Sequence, residues 1–187
     1  MSFAPENTRF SFTLLWTVAT CGGFLLSLLF VEVGEKPDIG LVEAAIGSIA
    51  IALPQGCLLK EPVFCIRWIL SSLLGWCIIT AIGIGAVGWI VPSTQILPVR
   101  ILSGAIYGAF GGLGIGLAQW LAIPQATAWR WIFVSSASWA VAVPVGSAVG
   151  MISHHLTQLF LGEVMGLAMT WLLVGILTGM NAHKLRS

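Results

Sequence analysis

The sequence predicts an all-α integral membrane protein of six transmembrane helices, and three observations carry that prediction. The first is composition: 58% of the 187 residues are hydrophobic and only 8% charged, with a mean hydropathy of +0.99, whereas soluble domains are about 25% charged. The second is that apolar runs long enough for spans of ~20 residues follow one another with only short polar breaks. The third is a ladder of glycines, Gly104, Gly108, Gly112 and Gly116, which falls as one bare ridge along a helix. In water each interior glycine costs about 1 kcal/mol of helix stability relative to alanine. In lipid the backbone cannot trade its hydrogen bonds for water, and small residues let neighbouring helices touch. The ridge therefore reads as a helix-packing surface, as do Gly162 and Gly166 further on.

Taken in order, the spans fall at about 10–31, 39–59, 67–91, 100–123, 129–152 and 156–180. The first starts after a short polar lead. Its Cys21 stands where a lipoprotein cleavage site would have it, but Thr20 is wrong for such a site, so the span reads as uncleaved. Glu32, Glu35 and Asp38, with Lys36 and Pro37, make an acidic loop. Lys60, Glu61 and Pro62 make a tight polar turn, Pro92 and Pro98 bracket the next connection, 124–128 form another short turn, and 181–187 are a basic tail. Arg9, Lys60, Arg67, Arg130, Lys184 and Arg186 fall on one side, against Lys36 and Arg100 on the other. That asymmetry puts both termini in the cytoplasm. The whole chain reads as a single transmembrane domain of a bacterial inner membrane or thylakoid. It leaves no room for a separate soluble catalytic or nucleic-acid-binding unit.

A second order lies beneath the spans. Arg67-Trp68-Ile69, Trp76 and Gly83 recur 63 residues later as Arg130-Trp131-Ile132, Trp139 and Gly146. Trp16 and Gly23 repeat the Trp76–Gly83 spacing in span one. Gly40, Ala44, Ser48 and Ala52 lead to Gln55 in the register in which the glycine ladder leads to Gln119, and Thr170-Trp171 falls near the matching place in span six. The pattern predicts three parallel two-helix repeats, about 9–60, 67–123 and 129–181, round a pseudo-threefold axis near the membrane normal.

Few residues could carry chemistry. Glu163 sits about seven residues into span six, ~10 Å deep at 1.5 Å per residue, and an ionisable group at such depth is a candidate proton or cation site. The alternative is a carboxyl hydrogen-bonded to a neighbouring helix. His154, His155 and Gln158 would begin the same span; His154, Gln158 and Gly162 share a face at four-residue spacing, with Glu163 beside it, so they could form one ligand or proton site. A metal normally needs three or four ligands, and none is expected. Nor do the four cysteines, Cys21, Cys57, Cys65 and Cys77, form a CxxC pair. Gln55 and Gln119 mark polar inner ends of spans two and four, suited to interhelical hydrogen bonds or to ligating a pigment magnesium. Arg67 and Arg130 read as interfacial anchors, and Trp68, Trp120, Trp129, Trp131 and Trp171 as an aromatic belt. The deeper Trp16, Trp76 and Trp139 read as packing opposite small residues. Pro54 and Pro144 come closest to helix breaks. No HExxH, GxSxG or Walker loop is present, so no enzyme is expected.

The glycine ladder ending in Gln119-Trp120, followed by Trp129-Arg130-Trp131, Trp139 and Gly146, resembles a group of small multi-span membrane proteins, mainly cyanobacterial, in which a GxxxGxxQWxxL unit recurs. The resemblance covers spans three to six best. It implies the repeat architecture and a photosynthetic bacterial source, and it implies no activity. Length and span number also resemble the substrate-binding S-component of energy-coupling-factor vitamin transporters, without a motif match beyond small-residue ladders. The functional expectation is a non-enzymatic accessory, assembly, or lipid- or pigment-holding component of a larger membrane complex. It would contact membrane lipid and either a membrane-protein partner or a second copy of itself. The alternative is a small solute or ion transporter, or the membrane-embedded binding subunit of one.

Overall fold

The computed structural model describes residues 4–34, 39–59, 61–123 and 129–186. The acidic loop residues Glu35, Lys36 and Asp38, the turn residue Lys60 and the turn at 124–128 lie outside the described residues. Six α-helices follow one another: α1 (Ala4–Ser27), α2 (Leu41–Cys57), α3 (Pro62–Ala81), α4 (Leu97–Trp120), α5 (Trp129–Thr157) and α6 (Leu161–Ala182), the last continuing into a 3₁₀ turn, His183–Arg186. Five are long and apolar enough to cross a membrane; α2, with 17 residues, is the shorter one, about 26 Å at 1.5 Å per residue. Prolines start α3 and α4 within their first two positions, where a missing N–H leaves no helical bond unmade. Pro54 and Pro144 lie inside continuous helices and interrupt neither.

The break comes elsewhere. The third apolar run is helical only to Ala81 rather than to residue 91, because Gly83 and Gly85 take positive φ of 83° and 82°, conformations that only glycine adopts without strain. The chain from 82 to 96 then folds inward without regular structure. Ala86, Val87, Trp89 and Val91 are buried, Trp89 Nε1 donates to Ser27 Oγ at 2.8 Å, and Trp171 Nε1 donates to Gly88 O at 2.9 Å. An apolar run alone could not distinguish this plug from a helix end, because both bury hydrophobic side chains. The fifth helix runs on to Thr157, past the expected 152, and α6 begins at Leu161 rather than 156.

The helices pack in chain order as a closed ring: each touches its two neighbours in sequence, and α6 returns to α1. Small residues set the close approaches. A Cβ on Gly104 would meet Val143 and Pro144 of α5, and one on Gly108 would collide with the Trp139 carbonyl. At Gly112 a Cβ would come within 2.7 Å of Ser135 O and 2.8 Å of Trp139 Cβ, and at Gly116 within 3.0 Å of Ile132 Cα. The four-residue ladder thus lies directly on the backbone of α5. Gly146, Gly150 and Gly166 make the same kind of contact between α5 and α6; Gly162 meets the backbone at His154; and Gly175 and Gly179 face Thr17 and Thr13 of α1. Outward faces carry Leu14, Leu15, Leu70, Ile106, Phe110 and Phe133, all exposed, an apolar exterior compatible with a lipid surround.

Gly112→Leu should lower the thermal unfolding midpoint of the detergent-solubilised protein by the equivalent of at least about 1–3 kcal/mol, the usual cost of overpacking. Gly22→Leu, at a position with nothing within 4 Å, should leave that midpoint unchanged or raise it.

Candidate functional site

One face of each odd-numbered helix carries the same order of side chains at i, i+4 and i+8. These are Trp16-Thr20-Phe24 on α1, Trp68-Ser72-Trp76 on α3 and Trp131-Ser135-Trp139 on α5, all nine buried. The spacing puts them in line on the side that faces the ring axis. The first members meet as a triad, with ring centroids 5.6 Å (Trp16–Trp68), 5.5 Å (Trp68–Trp131) and 6.4 Å (Trp16–Trp131) apart and planes crossing edge to face, the arrangement that aromatic quadrupoles favour. Eight residues on, ~12 Å along the helices, Trp76 and Trp139 form a second tier 5.6 Å apart, with Trp171 of α6 against Trp139 at 4.9 Å and stacked on Phe24 at 5.8 Å. The Trp89 ring packs on Trp76 and Trp171.

Each indole of the first tier donates to an even-numbered helix. Trp68 Nε1 reaches Gln55 Oε1 at 3.3 Å, Trp131 Nε1 reaches Gln119 Oε1 at 2.8 Å, and Trp16 Nε1 reaches Thr178 Oγ1 at 3.0 Å. The amides pass the connection onward, Gln55 Nε2 to Thr20 Oγ1 at 2.8 Å and Gln119 Nε2 to Ser72 Oγ at 3.0 Å. Each glutamine therefore ties together the two odd-numbered helices that flank it. Between the aromatic tiers lies a cavity of about 30 Å³, lined by Ser48, Gln55, Ser72, Gln119 and Ser135 together with apolar and indole groups. Ser48 Oγ, on a residue only 1% exposed, meets no donor or acceptor among the described residues. A pigment ring would not fit this space, and both amide oxygens already accept an indole N–H, so pigment ligation by Gln55 or Gln119 is not supported.

At the opposite end of the ring is an ion pair. Arg100, in the first turn of α4, is 0% exposed, and Glu163, in the first turn of α6, is 5% exposed. They meet two-to-two: Arg100 Nη1 donates to Glu163 Oε1 at 3.0 Å, and Nη2 bonds Oε2. A bidentate guanidinium–carboxylate contact is the geometry in which buried charges best offset their lost hydration. Arg100 Nε has no partner among the described residues, and Arg100 borders a cavity of about 10 Å³ together with Ser147 and Glu163. Arg100, expected as an outer-side charge at the start of span four, is instead buried and paired, and Glu163 is matched by a charge from another helix.

The other sequence candidates separate. His154 and His155 close the last turn of α5 rather than opening α6, and Gln158 follows with φ +58°, so they do not share a helix face with Glu163. Gln158 is exposed and donates to His155 O at 2.7 Å, and His154 Nδ1 lies 3.0 Å from Leu159 O. Among the described residues no group of three His, Cys, Asp or Glu side chains could hold a metal. Trp68, Trp131 and Trp171 are buried, not members of an aromatic belt, whereas Trp120 and Trp129 are exposed and Arg130 lies 5.9 Å over the Trp129 ring. Trp16 sits level with Trp68 and Trp131, not with Trp76 as the tryptophan–glycine spacing suggested. Sequence reasoning missed Arg100, Ser48, Thr20 and Thr178. Arg100 did carry a signal, as a charge one turn ahead of a glycine ladder.

No family model, curated protein or solved structure matches the chain.

Removing one member of the buried pair leaves the other uncompensated, at a cost of about 3–5 kcal/mol. Arg100→Met and Glu163→Leu should each be strongly destabilising, and the double substitution should recover most of the loss. A double-mutant cycle on thermal unfolding measures this; additive losses would mean that the two side chains do not interact.

Proposed function

We propose that this chain is a non-enzymatic integral membrane protein that works as an accessory or assembly component of a larger membrane complex. The observation that carries the reading is the distribution of polarity. The interior is filled by two tryptophan tiers and an ion pair whose charges are matched, while the outside is apolar. Between α1 and α2 an open groove of about 700 Å³ is lined by Val18, Ala19, Gly22, Gly23, Leu26 and Phe30 on one wall and by residues of α2 on the other. Lipid or pigment held by this protein would sit there, against the outside of the ring. Three parallel hairpins round a pseudo-threefold axis fit the recurring aromatic–hydroxyl–aromatic order of α1, α3 and α5 and the Gln55, Gln119 and Thr178 positions that answer it. In that arrangement both chain ends lie on the cytoplasmic side, a reading supported by the contact of Arg9 Nε with His183 Nε2 at 2.9 Å, which joins the start of α1 to the end of α6.

The transporter reading draws less support. Glu163 was its principal residue, and the bond to Arg100 occupies both carboxylate oxygens. The central cavity accommodates nothing larger than a few waters.

Purification of the tagged protein from native membrane in mild detergent, with particle mass, protein identification and an absorption spectrum, tests the reading. Stoichiometric co-purification of other membrane proteins or of pigment is the expected result. A colourless, solitary particle that a solute stabilises against heat would replace the accessory reading with transport.

A further inference from the structure

The polar layer between the tryptophan tiers contains more hydrogen-bonding groups than the protein pairs. A glutamine amide carries two N–H donors, and in Gln55 and Gln119 one is directed to Thr20 and Ser72 respectively, which leaves one on each. Ser72 Oγ accepts from Gln119 and retains its own O–H. Ser48 Oγ is buried and meets no partner among the described residues. All four residues line the same cavity of about 30 Å³. A polar cavity needs ~10–15 Å³ in this measure for each water it holds, so its volume matches about two.

We propose that this cavity is an internal hydration site, occupied by two ordered waters that join Ser48 Oγ of α2 to the free N–H groups of Gln55 and Gln119 and to Ser72. The chemistry of the lining selects the occupant. Amide N–H and hydroxyl groups predominate, so the ligand must accept hydrogen bonds, which disfavours a cation. No ionisable side chain lines the cavity, so an anion would lose its hydration without a counter-charge, a penalty of several kcal/mol per ion. Water accepts two bonds and donates two, and can supply the donor that Ser48 Oγ lacks. Trp76, Trp139 and Trp171 form part of its wall, and the Trp16–Trp68–Trp131 triad lies one helical turn from Ser72 and Ser135, which line it. The result is a water-bridged link from α2 to α3 and α4 across the ring axis, where no direct side-chain bond runs from Ser48.

The test is water-edited solid-state NMR of the full chain, isotope-labelled, in lipid bilayers. Magnetisation from water should reach the side-chain amides of Gln55 and Gln119 at short mixing time, as it does the exposed amide of Gln158, which is the internal control. Ser48→Val, which fills space and removes the hydroxyl, should reduce transfer to Gln55 and Gln119 at least about two-fold and leave Gln158 unchanged, with the Trp68 and Trp131 indole N–H signals reporting that the fold is kept. Absence of transfer to either glutamine in the unmodified protein would overturn the proposal whatever the variant does. Movement of the two amide signals on exchanging chloride for gluconate, or sodium for a large organic cation, would overturn it in favour of a bound ion.

Discussion

The structure depends on hydrogen bonds that run from one helix to the next near the ring axis. Between helices in lipid there is no hydrophobic drive comparable to that in water, because acyl chains are as apolar as leucine. What holds such a ring must come from close van der Waals contact and from polar groups that find no better partner elsewhere. The three indoles of the first tier supply the second. Trp68 and Trp131 each bond to the helix that precedes their own, and Trp16 bonds to the last helix of the chain. That last bond, with the packing of Gly175 and Gly179 on α1, joins the last helix to the first.

Close contact and polar bonding require each other here. Gln119 can reach both Trp131 and Ser72 because α4 lies with its glycines on the backbone of α5; a β-carbon along that ridge would push the helices apart and lengthen the bonds. Bulk removed at one place is supplied from another, since the Trp89 ring lies against Gly47, the Trp171 ring against Gly88 and the Trp16 ring against Gly179. The ion pair does for the far end what the indoles do for the near one, tying α4 to α6 across α5. Its burial makes it a constraint on which helices lie together more than a source of stability, since a well-packed apolar pair often serves stability as well.

Much of this was legible in the residues. Six apolar runs give six helices, and the four-residue glycine spacing marks the face that α4 turns to α5. Gln55 and Gln119 announced themselves as polar groups where lipid tolerates few. The rest was hidden for identifiable reasons. Residues 82–91 are as apolar as a helix end, and only the dihedral angles of Gly83 and Gly85 reveal a plug. Arg100 reads as a flanking charge until its distance to Glu163 is known, because a terminal arginine and a buried one look alike in sequence. Trp68 and Trp131 follow arginines, as belt residues do, yet the axial face they share with Ser72 and Ser135 buries them. The register of α1 was misplaced because the Trp16–Gly23 spacing competed with the Trp16-Thr20-Phe24 order, and only the second faces the axis. The sequence pattern points to Thr170 as the α6 counterpart of Gln119, but Thr170 turns back to Gly166 O and it is Thr178, eight residues on, that accepts from Trp16.

Ring closure between the first and last helices is the claim on which the others stand, and cysteine cross-linking measures it most directly. In a background with Cys21, Cys57, Cys65 and Cys77 replaced, Thr13→Cys and Gly179→Cys can be paired, since a β-carbon at Gly179 would lie 3.3 Å from Thr13 Cγ2, within disulfide reach. A closed ring predicts rapid oxidation to an intramolecular disulfide in native membranes, seen as a shifted monomer band that reductant reverses, with no such band when Thr13→Cys is paired with Ser103→Cys of α4. Failure of the α1–α6 pair to cross-link, or cross-linking only between molecules, would contradict it.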